Sequence, residues 1–236
     1  MQKLLLIGLL IFSRHTMLQG MGAHARMAGI GRDVANRLLL QGAWDGNLID
    51  IANAFVGGAE IHARDDEGNT ALMIAAWHGR ANVIDALLPK LRVEDIDISN
   101  NFENTALIHA VQRGHRPVVA ALIHAGANIN LQGYNHGTPL IVGAYHNQGP
   151  VVALLARLPG INLNLQDTIN GSTALMVAVR EGNLFIVQDL VDAGADLEIY
   201  DNEGYTALDR ARVTDYDLDE VRDFIIDILQ PGSRGE

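Results

Sequence analysis

The chain has 236 residues, 48% of them apolar but only 5% aromatic, so it can bury a sizeable core built of Leu, Ile, Val and Ala. A formal net charge of −11 leaves no basic stripe for phosphate recognition and excludes a nucleic-acid footprint. There is no cysteine, which rules out disulfides, thiolate zinc sites and a cysteine nucleophile.

The N-terminus stands apart from the rest. Lys3 precedes Leu4-Leu5-Leu6-Ile7-Gly8-Leu9-Leu10-Ile11-Phe12, a run without charge or hydrogen-bonding side chains, and Ala23-His24-Ala25 then offers a small-x-small cleavage site. A basic start, a short apolar run and such a site read as a secretory leader over residues 1–25, followed by a linker over 26–33. The run is far shorter than the roughly 20 residues that span a bilayer, so no stable membrane insertion is expected once the leader is gone. Two other readings stay open. The segment could be an apolar helix packed onto the rest of the chain, or translation could start at Met17, Met21 or Met27, leaving a cytoplasmic protein. A cysteine-free exported chain, which needs no oxidative folding, suits a bacterial periplasm or secretion.

Beyond the linker the chain repeats itself. Thr70, Thr105, Thr138, Thr173 and Thr206 recur at intervals of 35, 33, 35 and 33 residues, each opening a version of one phrase (Thr70-Ala71-Leu72-Met73 and its counterparts). A fixed period of this size marks an array of small units, none able to bury its apolar face alone. In the fullest copy Asp65-Asp66-Glu67-Gly68 is a turn, Thr70 caps a helix, and Ala71, Leu72, Ala75 and Ala76 face inward at helical spacing. Gly79 ends that helix, and Val83, Ile84, Leu87 and Leu88 form the apolar face of a second one. The next second helices carry Val118, Val119, Leu122 and Ile123, then Val151, Val152, Leu154 and Leu155, then Ile186, Val187, Leu190 and Val191. Glycine stops follow at Gly126 and Gly194.

The pattern resembles the ankyrin-repeat family. Thr138-Pro139-Leu140, Gly114-His115 and Gly126-Ala127-Asn128-Ile129-Asn130 carry the likeness, and Gly46-Asn47 with Gly58-Ala59-Glu60-Ile61-His62 mark a degenerate first unit. The resemblance implies an all-α ankyrin-repeat solenoid over residues 34–232, of about six helix-turn-helix units with β-turn tips. The units run at about 34–63, 64–98, 99–131, 132–164, 165–199 and 200–232, with a tail at 233–236. Departures from the family pattern are local. Proline after the threonine survives only at Pro139; Met73, Ile108, Ile141 and Met176 stand where the family has histidine. Glu103 replaces a turn glycine and Asn147 a helix-stop glycine. From Asp201 to Asp227 nine acids face three arginines, a net −6 that reads as a solvated capping unit or a dock for a basic partner.

Arrays of this family bind through the turn tips and the concave face of the first helices, which implies a protein partner and no cofactor. The variable pairs just before each helix stop are Trp44-Asp45, Trp77-His78, Gln112-Arg113, Tyr145-His146 and Arg180-Glu181. Both tryptophans of the chain lie in this row, beside Tyr145, Arg113 and Arg180, a composition typical of interface hot spots. The competing reading has Trp44 and Trp77 packing against each other as local core. The tips Asp66, Glu67, Asn69, Phe102, Tyr134, Asn135, Ile169 and Asn202 are expected to set specificity. Nine histidines raise a metal site, but their positions in the register scatter them, and no nucleophile elbow, phosphate loop or metalloprotease motif appears. The expectation is therefore a non-catalytic protein-binding module, monomeric when free, acting as an inhibitor, immunity or protective protein. The alternative is a small-molecule or metal-binding periplasmic protein that uses the Trp/Tyr/His groove.

Overall fold

Each recurring threonine starts a helix by the same bond. The hydroxyl oxygens of Thr70, Thr105, Thr138, Thr173 and Thr206 accept from the backbone N–H three residues on. This satisfies one of the donors that the first helical turn leaves without an internal partner. The computed structural model describes residues 31–133, 137–214 and 219–230. The expected leader at 1–25 and the tail at 233–236 lie outside these residues, as do the tip positions Tyr134 and Asn135.

The helices alternate between an inner and an outer row. In the first unit α1 (Arg32–Asp45) is inner and α2 (Leu48–Val56) outer; in the second, α3 (Ala71–Trp77) and α4 (Ala81–Leu87). A further turn, α5 (Val93–Ile96), closes the second unit. The third unit has α6 (Ala106–Gln112) and α7 (Arg116–His124), the fourth α8 (Pro139–Tyr145) and α9 (Gly149–Leu155). The fifth has α10 (Ala174–Arg180) and α11 (Leu184–Asp192), the last α12 (Ala207–Val213) and α13 (Asp219–Leu229). Inner helices stack on inner helices and outer on outer. Among the described residues there is no strand, only one isolated bridge between Arg64 and Thr70. No helix among them is long and apolar enough to cross a membrane.

An isolated seven-residue helix is unstable in water, so these helices persist through what they bury. The inner row buries alanine repeatedly: Ala71, Ala75, Ala76, Ala106, Ala110, Ala144, Ala174, Ala178, Ala207 and Ala211 lie in one core. Small side chains let neighbouring inner helices approach closely. The outer row fills the remaining space with Val83, Ile84, Leu87, Val118, Val119, Leu122, Val151, Val152, Leu155, Ile186, Val187 and Leu190, all buried. The fourth member of each expected set (Leu88, Ile123, Leu154, Val191) is only half-buried.

Two departures from the sequence reading have plain causes. The second unit has no glycine after its outer helix. The chain continues there into a 3-10 turn, Leu88–Lys90, and then α5, whose Ile96 is buried and whose start is held by Asp95 accepting from the Arg92 N–H. The acidic C-terminal unit is also not uniformly solvated. Asp201 is buried, accepting from the Glu203 and Tyr205 N–H groups and from Arg210 Nε at 2.6 Å, and Arg210 lies over the Tyr205 ring. Burial disfavours the Asp201 charge, but Arg210 and the two backbone donors outweigh it and hold the carboxyl below its usual range.

The units are joined by side chains that reach back. Arg80 Nε donates to the Trp44 carbonyl and Gln148 Nε2 to that of Gln112, and an imidazole nitrogen of His115 meets the Trp77 carbonyl. Asn183 Nδ2 donates to the Ala144 carbonyl one unit back. Each of these side chains follows the residue that stops its own helix. The stop position must leave room for the next reaching side chain: a Cβ on Gly79 would come within 2.7 Å of the His115 ring. Gly79 is thus needed for space as well as for its φ of +66°. Glu103, by contrast, holds a φ of 61° in an exposed tip where the repeat elsewhere uses glycine. Glu103→Gly should raise the urea midpoint, corresponding to up to about 1 kcal/mol, because left-handed backbone is strained for a residue with a Cβ.

Candidate functional site

The pairs before the helix stops form one row along the inner helices, at their C-terminal ends. Trp44 and Tyr145 are more than half exposed, at 53% and 56%. Trp77, His78 and Gln112 are half-buried, while Asp45, Arg113, His146, Arg180 and Glu181 are exposed. The expectation that this row is displayed, with the Leu and Val sets buried beneath it, matches the solvent exposure of these residues.

The tryptophans take histidines of the following unit as neighbours rather than each other. The Trp44 ring stacks at 3.9 Å on His78 with a 48° tilt. Trp77 meets His109 edge-on at 5.2 Å and carries the Arg113 guanidinium over its face at 4.9 Å. Tyr145 stands edge-on to His146 at 5.1 Å. A cation over an indole face is attracted by its quadrupole, so Arg113 is oriented before any partner arrives. Asp45 accepts from Gln41 Nε2, and Arg180 Nε meets the adjacent Glu181 at 3.2 Å.

Beside this row runs a groove of about 310 Å³. Its floor is Ile108, Ile141, Val142 and Val177; Gln112, Tyr145, His146 and Arg180 form one wall, and Asn104, Asp167, Ile169 and Asn170 the other, on the tip side. Four expected row residues and one expected tip residue, Ile169, therefore line one concavity. Phe102, Asp66 and Glu67 are exposed at neighbouring tips. Asn69 and Asn202 hold tips together. Asn69 Nδ2 donates to Asp65 and its Oδ1 accepts from Asn100 Nδ2, while Asn202 donates to the Asn170 and Ile169 carbonyls of the previous tip. Among the described residues no three of His, Asp and Glu come together as a metal-binding group.

Three imidazoles in or behind the row are held toward neutrality. For His78 the cause is first burial, then the charges of Arg80, Arg113 and His115, with Asp45 acting the other way. For His146 it is desolvation and then Arg113. His109 is pushed furthest, to about 4, by burial, which Asp65 offsets only in part. Its Nε2 faces the Asn100 amide nitrogen at 3.4 Å and its Nδ1 has no hydrogen-bond partner, so the pocket offers a proton donor where an imidazolium would need an acceptor. This Asn100–His109 pair lies outside the sequence reading, which treated His109 only as a dispersed histidine.

The tips share a device of their own. Asp65, Asn100, Asp167 and Asp201 each accept from two backbone N–H groups of their own turn. Three of the four stand five residues before the threonine of the unit, and Asp167 stands six before Thr173. That spacing is visible in the sequence.

The family description "Ankyrin repeats (3 copies)" matches residues 39–133, 90–167 and 140–220. The B-cell lymphoma 3 protein homolog of Mus musculus is 32% identical over 152 residues, 63% of this chain and 34% of that protein. Ankyrin repeat and SAM domain-containing protein 6 of Rattus norvegicus is 36% identical over 104 residues, 44% of this chain and 12% of that one. The chain thus spans no more than about a third of the length of these relatives. A solved structure of the Bd0816 predatory endopeptidase from Bdellovibrio bacteriovorus in complex with immunity protein Bd3460 contains a chain similar to this one. The match has a TM-score of 0.68 and 28% identity, covering 83% of this chain and 98% of that chain.

Acid should destabilise the array through His109. Its folded pKa of about 4 lies below the ordinary 6.5, so the unfolded chain binds the proton more readily between those values. Stability is fully present above about pH 6.5 and falls as pH drops toward 4, by about 3 kcal/mol at most. Urea unfolding at pH 7 and pH 4.5 should show this loss, and His109→Leu should lose much less between the same two pH values.

Proposed function

The chain belongs to the ankyrin-repeat family, and from that premise we propose that it acts without chemistry of its own, holding another protein against its concave face. Ankyrin repeats are protein-interaction modules. The observation that carries the assignment to this face is the half-exposed row of Trp44, Trp77 and Tyr145 beside the groove. Aromatic side chains with few rotatable bonds lose little entropy on docking and bury much area, which is why they dominate interface energetics. Arg113 and Arg180 add donors for charge-assisted bonds at the same level.

The finer reading is an exported inhibitor or immunity protein that keeps a co-exported hydrolase inactive. Three features support it: the leader-like residues 1–25, the chain's small size and acidity, and its likeness to a chain from an endopeptidase–immunity protein complex. Localisation in the periplasm or outside the cell follows from the same reading, as does a monomeric state when free. A mass measurement of the mature protein should show residues 1–25 removed; a mass that retains them would overturn export by this leader.

The binding reading is tested by affinity capture from the native envelope fraction with mass spectrometry, then by substitution. Trp77→Ala and Tyr145→Ala should each weaken binding of the captured partner by about 30-fold or more, as hot-spot residues do. Asp66→Ala and Glu67→Ala should change it by a few-fold at most. If the row variants lose fold, measured by circular dichroism, with no selective loss of binding, the aromatics are packing elements and this assignment fails.

A further inference from the structure

The charges of this acidic chain are sorted across the concave side. The exposed turn tips carry acids: Asp66, Glu67, Glu103 and Glu203. One level inward the sign changes. Arg180 lines the groove, and Arg113 adjoins Gln112, which lines it too. Arg113 is exposed, and the contact that orients it is the Trp77 ring face rather than a carboxylate. Its remaining N–H donors form a planar fork that matches a carboxylate. Arg180 does have a carboxylate neighbour, but the pair with Glu181 is between exposed, sequence-adjacent side chains, so an incoming acid can displace it at small cost. Between the two arginines the floor of the groove is apolar, with Ile108, Ile141 and Val177 beneath it.

We infer that the groove receives a protruding segment of the partner protein in which an aspartate or glutamate lies beside an apolar side chain. The apolar side chain sits on the isoleucine and valine floor, and the carboxylate is gripped by Arg113 and Arg180. The acidic tips repel acidic residues placed anywhere else along the segment, which fixes where its charge must fall. This deepens the concave-face reading and rests on it.

A test that does not require the natural partner uses a random twelve-residue peptide library, displayed through its C-terminal end so that the only carboxylates are side chains. The immobilised full chain, as wild type and as the double variant Arg113→Gln with Arg180→Gln, is the bait. Peptides bound by the wild type should be enriched at least tenfold for an Asp or Glu next to a Leu, Ile, Phe or Val. The double variant should lose that enrichment while its circular dichroism and thermal midpoint stay unchanged. Wild-type-bound peptides without an acidic preference, an acidic preference that survives the double substitution, or no enrichment at all would each overturn the inference. The broader reading fails separately: it falls only if the captured envelope partner is indifferent to Trp77→Ala and Tyr145→Ala.

Discussion

Everything in this molecule depends on stacking, because no unit is stable alone. Seven-residue inner helices cannot persist in water, and their apolar faces are covered only by the units before and after. The tightest expression of that constraint is the side chain that follows each helix stop. Arg80, His115, Gln148 and Asn183 reach back to a carbonyl of the preceding unit, satisfying an orphan acceptor at a helix end. The stop residue must be small or able to adopt a left-handed backbone, so one position serves both the turn and the contact. Distance along the chain, rather than fine sequence detail, is what stacking fixes.

That arrangement separates the residues that build from those that display. Threonine caps, alanine inner faces and aliphatic outer faces are committed to the stack. The pair before each stop points away from it, at the end of a helix whose position is held on both sides. Tyr145 and Arg113 can therefore vary without loosening the array, whereas His115 and Gln148, only a few residues on, cannot. An interface built this way is preorganised: the aromatics and guanidinium groups lose little additional entropy on docking.

Much of this was legible from the residues. The period of the threonines revealed the number of units, and the glycines and Asn147 revealed where helices stop. The register then placed Trp44, Trp77, Arg113 and Tyr145 on one face, and the groove brings Tyr145 together with Ile169. The asparagine and aspartate five residues before most of the threonines were an equally regular signal, and they mark the turns' internal acceptors. What the sequence could not reveal depends on how one unit is rotated against the next. Whether Trp44 faces Trp77 or His78 is decided by a few ångströms of inter-helix offset, and so is the meeting of Asn100 with His109. The extra turn Val93–Ile96 was hidden for a different reason: with no glycine after α4, Pro89 and the Arg92–Asp95 pair improvise a local ending that has no counterpart in the other units. Asn69 and Asn202 looked like display residues from position alone, yet their amides are engaged with their own and neighbouring tips.

The central claim is that the helix ends of the inner row, and not the outer helices, meet the partner. Hydrogen exchange read by mass spectrometry, on the full chain alone and saturated with the captured envelope partner, tests it directly. The account predicts added protection at residues 77–79, 112–114, 145–147 and 180–182, with α4, α7, α9 and α11 unchanged. Protection confined to the outer row, for example around the exposed Phe185 at the start of α11, with the inner helix ends unaffected, would contradict it.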